Sequence, residues 1–192
     1  CSPTTKKLME DSFDIDGNDV VVGIAFNIDG DKNIGDNVPG EFKSLDIEKH
    51  NEFVAWSLFQ HSFFKHPDEF EKFYHKLKSK TYIFIGNYYN KQLDRFYGKN
   101  VGFVQTPMYD SINSVDDNIS KLVKEIDEKK PNTIILSCGQ LARVICKRLH
   151  KQYPTTNFID VGSLSDMFIV NQPEFKDIPK RSHIQHQLQQ IK

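Results

Sequence analysis

The chain has 192 residues, with 25 Lys and Arg against 26 Asp and Glu, a formal net charge of −1. That length fits one domain of ordinary size, and the charge balance excludes the basic excess a nucleic-acid module carries on one face. Apolar residues make up 38% and aromatics 12%, so material for a packed core is present and whole-chain disorder is excluded.

The start, Cys1-Ser-Pro-Thr-Thr-Lys-Lys7, lacks the apolar stretch of a secretory signal. Residues 1–18 are expected to be extended or poorly ordered, and the chain reads as a fragment of a larger one. Cys1, Cys138 and Cys146 are odd in number and show no metal-type pairing, so no disulfide framework is implied and a reducing, cytoplasmic setting is expected. No apolar run approaches the ~20 residues a membrane span needs.

Asp19 to Phe26 is a continuous apolar run, as expected of a strand covered on both faces. A segment rich in Gly, Pro and Asp follows, from Asn27 to Gly40, long enough to suggest a functional loop. From Leu45 to Lys65 the residues Leu45, Phe53, Trp56, Phe59 and Phe63 recur at helical spacing, and Pro67 opens a second helix. Tyr82-Ile-Phe-Ile-Gly86 reads as a second strand. Asn90 to Tyr97 is a short helix ended by Gly98, and Val101 to Gln105 is a third strand. Ser114 N-caps a helix with the stripe Ile119, Leu122, Val123 and Ile126. After Pro131 comes a fourth strand, Thr133–Ser137, then a helix through Leu141, Val144, Ile145 and Leu149. Asn157–Val161 is a fifth strand, and residues 171–192 form an extended or helical tail. Alternation of this kind predicts one α/β domain over residues 1–170: a doubly wound, mostly parallel sheet of about five strands with helices on both faces.

In such sheets ligands bind beyond the carboxyl ends of the strands. Gly86, Asn87 and Thr106 follow two of the strands. Ile134-Ile-Leu-Ser-Cys-Gly-Gln-Leu-Ala-Arg-Val-Ile145 places Gly139 and Gln140 at a strand-to-helix junction, where helix N–H groups can meet an anion. A tight turn is the plain alternative for Gly139, and one Gly makes neither a dinucleotide fingerprint nor a P-loop. In Phe158-Ile-Asp-Val-Gly-Ser-Leu-Ser-Asp-Met-Phe168, Asp160, Gly162 and Ser163 suit a ribose hydroxyl or, equally, a capped turn. The histidines lack zinc-type spacing, and His50 is a candidate general base. Cys138 suits a small filler behind the turn better than a nucleophile.

These last two segments resemble the C-terminal half of GT-D-type bacterial glycosyltransferases, whose strand ending in Gly, small-residue helix start and Ile-Asp-Ile-Gly strand are similar to those here. Tyr82-Ile-Phe-Ile-Gly86 and Val104-Gln-Thr-Pro107 fit the same order, so the likeness spans roughly residues 80–168. The resemblance implies sugar transfer from a nucleotide sugar, commonly a UDP-sugar, to a glycan or protein acceptor, with Mn²⁺ or Mg²⁺. It implies a nucleotide lined by Gly139, Gln140, Asp160, Gly162 and Ser163. Asp29 and Asp31, in Ile28-Asp-Gly-Asp31, stand where the family has Asp-x-Glu. Two carboxylates so spaced reach one hard cation, though Asp-Gly-Asp is also an ordinary turn and Glu41 competes. Asp166 is the candidate base for the acceptor. The alternative is a non-catalytic nucleotide- or partner-binding module of a larger protein.

Overall fold

The structure is a computed structural model describing residues 3–13, 15, 22–24, 53–55, 72, 75–162 and 165. The chain divides into two compact units, Cys1–Glu71 and Lys72–Lys192. The expected tail at 171–192 lies outside the described residues.

In the first unit, α1 spans Pro3–Phe13. This corrects the expectation of an extended start: Pro3 takes the first helical position, where its fixed φ fits and its missing N–H costs nothing. Strand β1 (Val22–Ile24) pairs in parallel with β2 (Phe53–Ala55), Val22 opposite Phe53. Spacing predicts a helix through Phe53, and β2 overturns that at these three residues. The unpaired backbone of β1 needs a partner, and strand pairing overrides a weak local period.

The second unit holds a four-stranded sheet, every pairing parallel, built of β3 (Thr81–Gly86), β4 (Lys99–Gln105), β5 (Thr133–Ser137) and β6 (Asn157–Asp160). The α/β class stands, with one correction: β1 belongs to a separate pair, so this sheet has four strands where about five were expected. The spatial order is β4-β3-β5-β6. The chain therefore steps one way from β3 to β4, then crosses back past β3 to β5 and continues to β6.

Between the strands run α2 (Asp94–Tyr97), α3 (Val115–Lys129) and α4 (Gln140–Leu149). Right-handed crossovers put α2 on one face and α3 with α4 on the other, because the step direction reverses. Alternation along β3 divides its side chains accordingly. Ile83 and Ile85 point to the face of α3 and α4, and they are buried like Leu122, Ile126, Leu141 and Ile145, all at most 1% exposed. Tyr82 and Phe84 face the α2 side, with the Tyr82 and Tyr97 rings edge-on at 5.8 Å and those of Phe84 and Phe103 stacked at 6.2 Å. Asp94 accepts hydrogen bonds from the hydroxyls of Tyr82 and Tyr89, both at 2.8 Å, tying the segment after β3 to this layer.

Asn90 caps the 3₁₀ turn before α2 through its side-chain oxygen and the Gln92 N–H. Ser114 behaves otherwise than predicted. Its hydroxyl donates to the Ser111 carbonyl at 3.2 Å and accepts from Asn118 at 2.9 Å, so it caps no helix N–H. The surface of α3 carries i,i+4 pairs such as Lys121–Asp117, and Arg148 of α4 reaches Asp116 at 2.6 Å.

Candidate functional site at the carboxyl edge of the sheet

The reversal of strand order falls between β3 and β5. Helices leaving on opposite faces open a crevice there, at the carboxyl ends of the two strands. Gly86 ends β3 in a tight place: a Cβ on it would lie 2.9 Å from the Ser137 carbonyl oxygen and 2.8 Å from the Phe84 ring. A residue larger than Gly would push the two strand ends apart. The Gly86 carbonyl accepts from the Thr106 N–H at 2.8 Å, and the Asn87 carbonyl accepts from Gln105 at 3.4 Å.

At the end of β5 the chain turns through Gly139, with φ 59° and ψ −133°, and enters α4 directly. Residues with a side chain rarely take that conformation, which is why Gly stands there. No side chain caps the helix, and the Ala142 N–H turns back to the Gly139 carbonyl at 3.1 Å. Gln140 and Leu141 are left to present the orphan N–H donors of the first turn, at the positive end of the dipole. Among the described residues nothing lies within 4 Å of where a Gly139 Cβ would stand.

Beside it, β6 ends at Asp160, whose carboxylate accepts from the Gly162 N–H at 2.9 Å. The Ser137 hydroxyl donates to the Gly162 carbonyl at 2.7 Å, locking the turn after β6 to the end of β5. Further on, the Ser165 and Tyr97 hydroxyls lie 3.2 Å apart. The Asp160 residue keeps an exposed flank, yet its carboxyl is crowded by protein. Desolvation raises its pKa above the ordinary 3.8, against the Gly162 N–H and the charge of Arg143, which lower it. Arg143 closes the first turn of α4, where a cation opposes the helix dipole; the neighbouring Asp160 offsets this. Burial pushes the Cys138 thiol well above its usual range and Cys146 up to about 12, with Asp160 adding to both. Thiols so placed stay protonated at neutral pH, which fits Cys138 as a filler.

Gly86, Asn87, Thr106, Gly139, Gln140, Asp160 and Gly162 all follow strands of this sheet and lie along its one carboxyl edge. Asp29, Asp31, His50, Ser163 and Asp166 lie outside the described residues. No protein-family model, curated protein or solved structure matches the chain. Among the described residues no group of three or more His, Cys, Asp or Glu is placed to hold a metal ion, and no helix is long and apolar enough to cross a membrane.

Two contributors have no site reading in the sequence: Ser111 and Arg143. Ser111 donates to the Cys138 carbonyl at 2.9 Å across 27 positions, a contact with no local signature. Arg143 did carry a signal, since a cation one turn into a helix that starts at an uncapped Gly is out of place unless an anion is near.

The raised pKa of Asp160 makes a prediction. A carboxyl raised in the folded state makes that state bind more protons than the unfolded chain, so stability falls as pH rises from the unfolded value toward the folded one. Asp160→Asn keeps the acceptor for Gly162 and removes the charge. It is expected to melt at the same or a higher temperature at neutral pH and to lose that slope. Melting curves from acid to neutral pH check this, and a lower Tm at neutral pH would mean that the attraction to Arg143 outweighs desolvation.

Proposed function

We propose that the chain is a glycosyltransferase domain that takes a sugar from a nucleoside-diphosphate sugar. One observation carries this reading: the uncapped start of α4 at Gly139 opens beside Asp160, at the carboxyl edge where the strand order reverses. The similarity of residues 80–168 to GT-D-type enzymes supports the same reading. The donor diphosphate lies before the Gln140 and Leu141 N–H groups, and the Asp160 oxygen not engaged by Gly162 accepts from a ribose hydroxyl.

In the transfer, an acceptor hydroxyl oxygen forms a bond to the anomeric carbon. The bond from that carbon to the diphosphate oxygen breaks, and the nucleoside diphosphate leaves with the electron pair. The acceptor proton passes to a base, for which Asp166 and His50 are the candidates. The helix dipole and Arg143 favour the charge that grows on the leaving diphosphate. Asp29 and Asp31 are the candidate ligands for a divalent cation.

Calorimetric titration of the chain with UDP, GDP and dTDP, each with and without Mn²⁺, tests the proposal. At least one is expected to bind, and the corresponding nucleotide sugar is expected to release its diphosphate with an acceptor present. Loss of the Mn²⁺ effect in Asp29→Ala or Asp31→Ala would support the cation ligands. Binding without turnover across a panel of donors and acceptors would leave a nucleotide-binding module, and no binding by any of the three would overturn the proposal.

A further inference from the structure

The segment from Thr106 to Ser111 is anchored at both sides of the crevice. Its first residue donates its N–H to Gly86 at the end of β3, and its last donates its hydroxyl to Cys138, next to Gly139. These are the two strands between which the order reverses. The four residues between the anchors therefore form a tip at the mouth of the crevice. Asp110 turns it, with φ 52°, and Ile112, 6% exposed, roots its far side in the core.

At this tip stand Met108 and Tyr109, 51% and 72% exposed, the two large apolar side chains exposed among the described residues. An aromatic face held in the open by two anchors, next to an anion-receptive helix start, has the form of a stacking platform. At the foot of the tip the Thr106 side-chain oxygen is buried and without a hydrogen-bond partner, where buried hydroxyls ordinarily find one.

We infer that Tyr109 stacks on the nucleobase of the bound nucleotide. This rests on the proposed nucleotide-sugar reading and adds to it the residue that distinguishes a nucleotide from a bare diphosphate. Stacking on an aromatic ring depends on the base's π-face, so Tyr109 contributes affinity for a base without by itself choosing which base.

The test uses the whole chain as wild type, Tyr109→Ala and Tyr109→Phe, titrated with inorganic pyrophosphate and with the tightest-binding of UDP, GDP and dTDP. Tyr109→Ala is expected to weaken the nucleotide about tenfold, in the range stacking on one base contributes. Tyr109→Phe is expected to stay within about twofold, since the ring is kept. Pyrophosphate affinity should be the same in all three. Nucleotide binding unchanged in Tyr109→Ala overturns the inference while the nucleotide reading stands. An equal loss of nucleotide and pyrophosphate overturns it too, because the tip would then act through the phosphate site. If the wild type binds pyrophosphate but no nucleotide more tightly, stacking fails and an anion site remains. If it binds neither, the proposed function falls and this inference with it.

Discussion

Gly98→Ala is expected to destabilise the protein by about 3 kcal/mol or more, lowering Tm by about 10 °C. Gly98 ends α2 at φ 98° and ψ −144°, a region essentially reserved for Gly, so any side chain there adds about 1–3 kcal/mol of strain. Sterics add to this. A Cβ would lie 2.7 Å from the Leu77 carbonyl oxygen and closer still to that of Lys80. Both obstacles are backbone: Lys80 donates to Leu77 at 2.8 Å and accepts from Lys99 at 3.0 Å, so relief means moving the turn that starts β3. Tyr82 and Ile83, next along that strand, are fully buried, and displacement would propagate into the core. Urea and thermal melts of the variant check this. A loss under about 1 kcal/mol would mean that the turn yields easily. Because Gly98 lies at the amino edge of the sheet, nucleotide affinity of the folded fraction should not change.

Gly139→Ala should show the opposite balance. Its φ of 59° and ψ of −133° carry strain for Ala, but among the described residues nothing lies within 4 Å of the new Cβ, so a stability loss of only about 1–2 kcal/mol is expected. The larger effect falls on the proposed ligand. The methyl group would stand before the first turn of α4, and relaxing the turn would tilt the Gln140 and Leu141 N–H groups. Hydrogen bonds to a charged group contribute about 1.5–3 kcal/mol each, so losing the alignment of both weakens UDP by at least about a hundredfold. Calorimetry on the folded variant measures this. UDP affinity equal to wild type would place the diphosphate away from the α4 start. Together the two glycines separate a conformational requirement that serves the fold from one that serves the site.

How much was legible differs between the two units. The strands of the second unit were readable because each is a compact apolar run bounded by a breaker: Gly98 before β4, Pro131 before β5 and Gly139 after it. The end of α2 at Gly98 was readable for the same local reason. In the first unit, Phe53 to Ala55 carries both an aromatic spacing that suits a helix and a β-favouring composition, and pairing with Val22–Ile24 decided between them. At α1 the local signal is Pro3, which suits a first helical residue. Ser114 has the composition of an N-cap, but Ser111 and Asn118 were in reach and took its hydroxyl.

For the candidate site, the sequence by itself determined which residues follow strands. Strand ends are set by Gly, Pro and the loss of apolar character within a few positions, so Gly86, Thr106, Gly139 and Asp160 could be named one by one. The order β4-β3-β5-β6 was not determined there, and with it the place where the crevice opens. Nor were the meeting of Ser111 with Cys138, the effect of Arg143 on Asp160, or the two tyrosine hydroxyls converging on Asp94. Periodicity and turn chemistry act over three or four residues. The pairing of β3 with β5 joins residues about 50 positions apart, and only the tertiary structure selects among the neighbours each strand could take, because buried backbone groups must be paired all at once.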